Sequence, residues 1–435
     1  MATDRRRTLE YIERLPALDA PDVVPLTGDA ASAQSTHARR RTDHETVADR
    51  LARGGASADI GKRLYDQTTR EQASEYEGYI EDFIGTVKIP VGLIGPLLVR
   101  GPHCSGAKWI PLATSEAALV ASYQRGVSAL SRAGGVTSVM LAESVVRSPC
   151  FVFPRAEQAA RFVAWLANAF DDVKAEAETT SNYAKLRDLR FTIDGNHAYV
   201  SFEYSCGDAA GQNMTTIATE AACRFVEAKS PIRIDRWYLE SNLSGDKKSS
   251  SQSFTLTRGR KVTADAVIPG EVLASEFRCS ANDIEAYWRV SAIGGILAGT
   301  TGVQGHFANG LAAIYLATGQ DIACVAESAI GTTRLEARED GSLYASVTLP
   351  SLLLGTVGGG TTLPTARACL DLIGLEDEHG AAGLAELTGA VLLAGELSLV
   401  ASIATGSFGR AHRVLRKRQS GPSREAGPVE PHDLG

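Results

Sequence analysis

A chain of 435 residues is too long for one simple core and suits two or three domains. Its formal net charge of -7 is mild for that size and argues against a binder of nucleic acid or anionic membrane, so any phosphate must be met by local basic residues. The cysteines at 104, 150, 206, 223, 279, 324 and 369 stand singly, without zinc-site spacing or the density of a secreted disulfide scaffold; they read as reduced thiols, and no metal site is expected.

The N-terminus, MATDRRRTLEYIERL, has charge but no apolar segment behind it, unlike a secretory signal, and a cytoplasmic protein is expected. Residues 1–45 are polar with weak periodicity and read as a flexible arm; 416–435, rich in charge, Gly and Pro, read as a disordered tail. Thr114 or Ser115 followed by EAALVASYQRGVSALSRAGG predicts an N-cap and a helix that stops at Gly134-Gly135, with Glu116 in its first turn.

From 148 to 238 the signals run strand (CFVF), helix (EQAARFVAWLANAF), two strands around Gly195-Asn196, helix (QNMTTIATEAACRFVEA), strand (IRIDRWYLE). That βαββαβ order is ferredoxin-like and reads as a small domain inserted into a large, mainly helical one made of 46–147 and 239–415; the fold class is α+β. The second helix follows GDAAGQN, where backbone N–H groups and the helix dipole can hold a cofactor phosphate. Neither GxGxxG nor a GxxxxGK loop is present, so a conventional Rossmann domain is not expected. Leu387 to Phe408 is the most apolar stretch, but Glu396 interrupts it, and it reads as a buried helix and not a membrane span.

Glu116, Lys247, Asp321 and His412 are polar residues in apolar or Gly-rich settings. Each alone has an ordinary explanation as a helix-terminal, capping or solvated residue. Their contexts together carry more. GYIEDFIGTVKIPVGLIGPLLV, PLATSEAALVASYQRG, GDAAGQNM, DKK, HFANGLAAIYLATGQD, TLPSLLLGTVGGGT and AGELSLVASIATGSFGRAH resemble, in order and spacing, the 3-hydroxy-3-methylglutaryl-coenzyme A (HMG-CoA) reductases over roughly residues 75 to 415. The ATSEAALVAS form is closer to the eukaryotic and archaeal class.

The resemblance implies a four-electron reduction of an acyl-CoA to an alcohol with NADPH, NADH being possible. It gives Lys247 the role of stabilising the carbonyl oxyanion, Glu116 that of proton donor, Asp321 that of linking the two, and His412 that of protonating departing CoA thiolate. It implies a cofactor set of Ser181, Asn182, Asp208, Ala209, Gly211, Gln212, Asn213 and Met214. Its substrate set is Glu81, Arg147, Asn242, Asp246, Lys248, Arg289, His306 and Asn309. The loop Gly355 to Thr361 matches a family block whose glycines let backbone approach a ligand or partner chain closely. Family members build their sites between protomers, so a homo-oligomer is implied.

Three segments depart from the family pattern. Where relatives have Ser-Gly-Asn before DKK, this chain has Glu240-Ser241-Asn242, which sets a carboxylate against the substrate's carboxylate. Where they have a Lys-Asn-Leu segment upstream of HFAN, it has Arg289-Val290-Ser291. Asn182 stands where many have an arginine for the 2'-phosphate, which weakens the preference for NADPH. HMG-CoA to mevalonate is the leading reaction; a different CoA or carrier-protein thioester, or a catalytically silent homologue, are the alternatives.

Overall fold

The computed structural model describes residues 39–376 and 378–407, and the chain divides into two compact units between Thr86 and Val87. Most of the expected arm, the whole expected tail and His412 lie outside the described residues. The sequence expectation started the large domain at 46; the larger compact unit begins at Val87.

The first unit holds α1 (His44–Arg53), α2 (Ala58–Leu64) and α3 (Gln67–Glu71), each opened by a capping side chain: Asp43, Ser57 and Asp66 accept N–H groups of the first turns. Val47, Tyr65, Ala73 and Phe83 form its small core. Arg50 sits there nearly buried and donates to the carbonyls of Arg39, Arg41 and Phe83.

The second unit opens with a hairpin, β1 (Val91–Arg100) against β2 (Ser105–Ala113). Helix α4 runs Leu119–Arg132. It begins later than the sequence suggested because Ala118 takes a left-handed backbone, φ 70°, and the Thr114 hydroxyl accepts the Glu116 N–H in a local turn without capping a helix. Glu116 therefore lies in the loop before the helix, not in its first turn. Strand β3 (Val136–Arg147) follows; its first part pairs with β8 (Gly259–Ile268) and its last residues, Val145 to Arg147, pair with β6 (His197–Ser205). One strand thus belongs to two sheet regions.

Between 148 and 238 lie β4 (Cys150–Val152), α5 (Ala156–Asn168), α6 (Phe170–Glu178), β5 (Lys185–Asp194), β6 (His197–Ser205), α7 (Gln212–Lys229) and β7 (Arg236–Tyr238), all strand pairs antiparallel. A second helix, α6, sits where the sequence signalled one helix only. Phe151, Phe153, Phe162, Phe202 and Tyr204 fill the space between helices and strands.

The remaining elements are α8 (Gly270–Phe277), α9 (Ala281–Ala298), β9 (Gly302–Val303), α10 (Phe307–Ala317), α11 (Val325–Ser328), β10 (Gly331–Ala337), β11 (Leu343–Leu352), α12 (Pro364–Ile373) and α13 (Gly380–Ala404). Strands run β7-β4-β6-β3-β8-β11-β10-β9, with β1 beside β3. Beside its helices the large domain carries β1, β2, β3 and β8 to β11, which alternate buried and open positions along a mixed sheet.

Helix α13 is apolar and long enough to cross a membrane, yet it is buried through almost its whole length against α4, β3 and β8. Two buried glutamates tie it to loops. Glu386 accepts the N–H groups of His103, Cys104 and Met140; Glu396 accepts those of Gly305 and His306 and the Thr333 hydroxyl. Gly126 of α4 lets the two helices nearly touch, since a Cβ there would lie 2.0 Å from the Ala394 carbonyl oxygen.

Candidate active site

Three loops converge at the N-terminus of α7. The Asp208 carboxylate accepts the Ala381 N–H at 2.9 Å and its carbonyl accepts the Thr356 N–H at 2.8 Å, so the GDAAG loop is stitched to the Gly-rich loop that starts at Gly355. A Cβ on Gly355 would lie 2.4 Å from the Ala210 nitrogen, so the glycine that sequence assigned to a ligand or partner contact serves a close approach within this chain. Gln320 clamps the same glycine, donating to its carbonyl and accepting its N–H, both at 2.8 Å. Buried Arg260 spans the two loops by donating to the carbonyls of Gly207 and Leu354. Helix α7 then begins after Gly211 with no capping side chain, which leaves its first N–H groups for another acceptor.

Gln212, the first residue of α7, donates to Asp321 at 3.3 Å. The Asp321 Oδ2 also pairs with Lys247 Nζ at 2.8 Å, while its Oδ1 accepts the Ala323 N–H and opens a 3-10 turn. Burial pushes the Asp321 carboxyl up, but its bond to the Lys247 ammonium outweighs that and holds it below the usual range; the same bond holds Lys247 above the usual lysine value. Lys247 sits at φ 56°, a left-handed conformation that costs a side-chain-bearing residue roughly 1–2 kcal/mol. Its N–H donates to Glu327 at 3.3 Å.

Behind this pair runs a chain of charges. Arg147 Nη1 meets Glu240 at 3.2 Å and Asp246 at 3.1 Å; Asp246 approaches Arg258 at 2.9 Å without hydrogen-bond alignment; Arg258 donates to Glu327. Arg147, Arg258 and Glu327 have side chains under 10 % exposed. Burial pushes the Glu327 carboxyl up against the opposing pull of Arg258. Lys248 donates to the Asp246 carbonyl at 3.0 Å, and Asn242, at φ 66°, donates its N–H to Glu240 at 2.8 Å.

Glu116 and Asn309 line a separate cleft of about 500 Å³ whose walls include Val87, Ile89, Leu119 and Leu316. No hydrogen bond or ion pair among the described residues joins Glu116 to Lys247 or Asp321. The rest of the expected substrate set is dispersed. His306 is held between the Tyr123 hydroxyl at 3.3 Å and the Gly395 carbonyl at 3.1 Å, both ring nitrogens engaged. Arg289 pairs with Glu285 one turn earlier on the exposed face of α9. Glu81, in the first unit, lies 3.9 Å from Arg40. Ser181 caps the turn before β5 and donates to the Met214 sulfur at 3.5 Å, which sets exposed Asn182 beside the start of α7 together with Asn213.

Residues 47–417 match the profile of the hydroxymethylglutaryl-coenzyme A reductase family. The chain belongs to that family. It is 40% identical to the 3-hydroxy-3-methylglutaryl-coenzyme A reductase of Pyrococcus horikoshii over 343 residues, 77% of this chain and 83% of the relative. It is 36% identical to the enzyme of Fusarium fujikuroi, over 88% of this chain and 40% of that longer protein. Its fold is similar to the class II HMG-CoA reductase of Streptococcus pneumoniae, solved bound to NADPH in open conformations: TM-score 0.61, 20% identity, 85% of this chain and 99% of that one. The higher identities to archaeal and fungal enzymes agree with the class read from ATSEAALVAS.

As an HMG-CoA reductase family member, the chain is an oxidoreductase. Sequence reading found Arg147, Gln212, Asp246, Lys247 and Asp321, which the fold gathers into one cluster. It missed Arg258, Arg260, Gln320 and Glu327, and Cys324, whose thiol Gln212 approaches at 3.3 Å. Arg258, Arg260 and Glu327 carry no local sequence signal of the partners that lie far along the chain. Among the described residues no group of three or more His, Cys, Asp or Glu side chains is arranged to hold a metal ion.

Proposed function

We propose that this reductase converts an acyl-CoA thioester to an alcohol, specifically HMG-CoA to mevalonate with NADPH, in the cytoplasm and as a homo-oligomer whose sites lie between protomers. The Lys247–Asp321 pair, aligned by Gln212 at the open N-terminus of α7, is the observation that carries the reading. An uncapped helix start behind a glycine, with N–H groups unclaimed by side chains, fits a dinucleotide phosphate. Gln212, Asn213 and Met214 would hold it with the 208–211 loop, and Asn182 would lie near its ribose end.

When bound, the nicotinamide supplies the hydride for each of the two reductions. Lys247, kept charged by Asp321, lowers the barrier by meeting negative charge as it develops on the acyl oxygen. Glu116 donates the proton that turns this oxygen into a hydroxyl; because it stands apart from Lys247 within one chain, the reading has a second protomer deliver it. The first reduction gives a hemithioacetal, which opens to an aldehyde and CoA thiolate as its hydroxyl returns a proton to Glu116. His412, which lies outside the described residues, protonates that thiolate so that it does not re-attack. The aldehyde is reduced next, with Lys247 in the same role.

Incubating the protein with a panel of acyl-CoAs and either NADPH or NADH, while following nicotinamide absorbance and free thiol, tests the reading. Two nicotinamides oxidised per thiol released, fastest with HMG-CoA and NADPH, is the expected result. Thiol release without oxidation, or oxidation with no thioester in the panel, overturns it. Asn182→Arg should move the cofactor preference further toward NADPH.

A further inference from the structure

We propose that Glu240 is a specificity-determining residue: its carboxylate occupies Arg147 from within the protein and competes there with the free carboxylate of an acyl thioester. The proposal rests on the reading that such a thioester is reduced at Lys247.

Arg147 is the cation that a bound acyl group would find next to the reducing centre. It is nearly buried, and it pairs with Asp246, the residue before Lys247. Its Nη1 meets both carboxylates and its Nη2 donates to the Gln212 carbonyl at 3.4 Å, while its Nε is buried without a hydrogen-bond partner among the described residues. The two carboxylates on it are not equivalent. Asp246 has a second cation, Arg258, at 2.9 Å, whereas Arg147 is the cation on Glu240.

Charge counting gives the same answer. The ion-paired chain sets three carboxylates, Glu240, Asp246 and Glu327, against two guanidiniums, Arg147 and Arg258, with the Lys248 ammonium alongside on the Asp246 carbonyl, so Arg147 is already shared by two carboxylates. An incoming carboxylate must therefore either displace Glu240 or sit beside it against like-charge repulsion. Glu240 is also held ready. Its Oε1 accepts the Asn242 N–H at 2.8 Å while Oε2 faces Arg147 at 3.2 Å. Nor does the loop offer a neutral substitute, because Ser241 spends its hydroxyl on the Ser148 carbonyl at 2.6 Å. An acyl group with an uncharged, hydrogen-bonding terminus meets none of this competition.

Glu240→Ser removes the internal competitor, and Glu240→Gln removes its charge while keeping its shape. Each should be assayed on HMG-CoA and on the same thioester with its carboxylate capped as an amide. For the acid, KM should fall by about tenfold or more in both variants with kcat within about threefold, the size expected when one charge-assisted contact is freed. For the amide, KM should stay within about threefold. The acid-to-amide ratio of kcat/KM thus rises about tenfold; a ratio that is unchanged, or that moves toward the amide, overturns the proposal. A general loss of packing would raise KM for both substrates alike and also counts against it. If the wild-type protein reduces neither thioester, the reaction assigned to the site is wrong, and the same ratio read from calorimetric Kd values without cofactor still decides the role of Glu240.

Discussion

Lys247 and Asp321 hold each other in their charged forms across the neutral range, and the consequences have opposite signs at the two ends of the pH scale. The lysine's folded pKa lies above its ordinary 10.5, so its contribution to stability is complete below 10.5 and is lost as pH climbs through the raised value. The aspartate's lies below 3.8, so its contribution is complete above 3.8 and is lost as pH falls through the lowered value. The stability difference between wild type and Lys247→Met, from urea unfolding, should therefore be flat from about pH 5 to 9 and shrink in stronger acid. A difference that grew in acid would contradict the pairing. Lys247→Ala and Glu116→Gln should each lower kcat by at least about 100-fold, as loss of an oxyanion donor or general acid does, with far smaller change in thioester Kd. Near-normal turnover in either variant would remove that residue from the mechanism.

Elements divide into those whose sequence announces them and those that long-range contacts create. The strands of 148–238 and helix α7 alternate or repeat with their own periods and were legible. The start of α4 was not, because a capping-type Thr114 spent its hydroxyl on a two-residue turn. The Gly355 loop was legible as a close approach but not for what it approaches. Two glycines separate the structural and functional versions of that device. Gly355→Ala forces the 208–210 loop away and should cost about 1–3 kcal/mol while raising KM for NADPH. Gly126→Ala drives α4 off α13 and should lower the melting temperature while leaving the KM of correctly folded protein unchanged. Thermal melts paired with cofactor titrations distinguish the two; equal KM effects would show that the Gly355 loop has no part in cofactor binding.

At the scale of the whole molecule, the separation of Glu116 from the Lys247 cluster makes a prediction that no single-chain variant can test. Inactive Glu116→Gln and inactive Lys247→Ala proteins, mixed under conditions that exchange protomers, should regain activity, because each mixed dimer assembles one site with both native residues. Statistical pairing gives about a quarter of wild-type activity for dimers. Mixtures that stay inactive after demonstrated exchange would place both residues' work within one chain. The partner arrangement was implied by the family pattern alone; within one chain, no hydrogen bond or ion pair among the described residues joins Glu116, the proposed proton donor, to Lys247.

Helix α13 also bears on how the protein comes into being. The segment that forms the centre of the larger unit is the last regular element among the described residues. During synthesis β3, β8 and α4 emerge with their inner faces bare, and the acceptors for the backbone N–H groups of His103, Cys104, Met140, Gly305 and His306 are still unmade. The nascent chain therefore spends most of its time on the ribosome with apolar surface and unpaired strand edges exposed, the state in which large proteins aggregate. Closure of the larger unit's core around β3, β8 and α4 is deferred until Glu386 and Glu396 arrive together on one helix, so a chain stopped short of α13 leaves that core open.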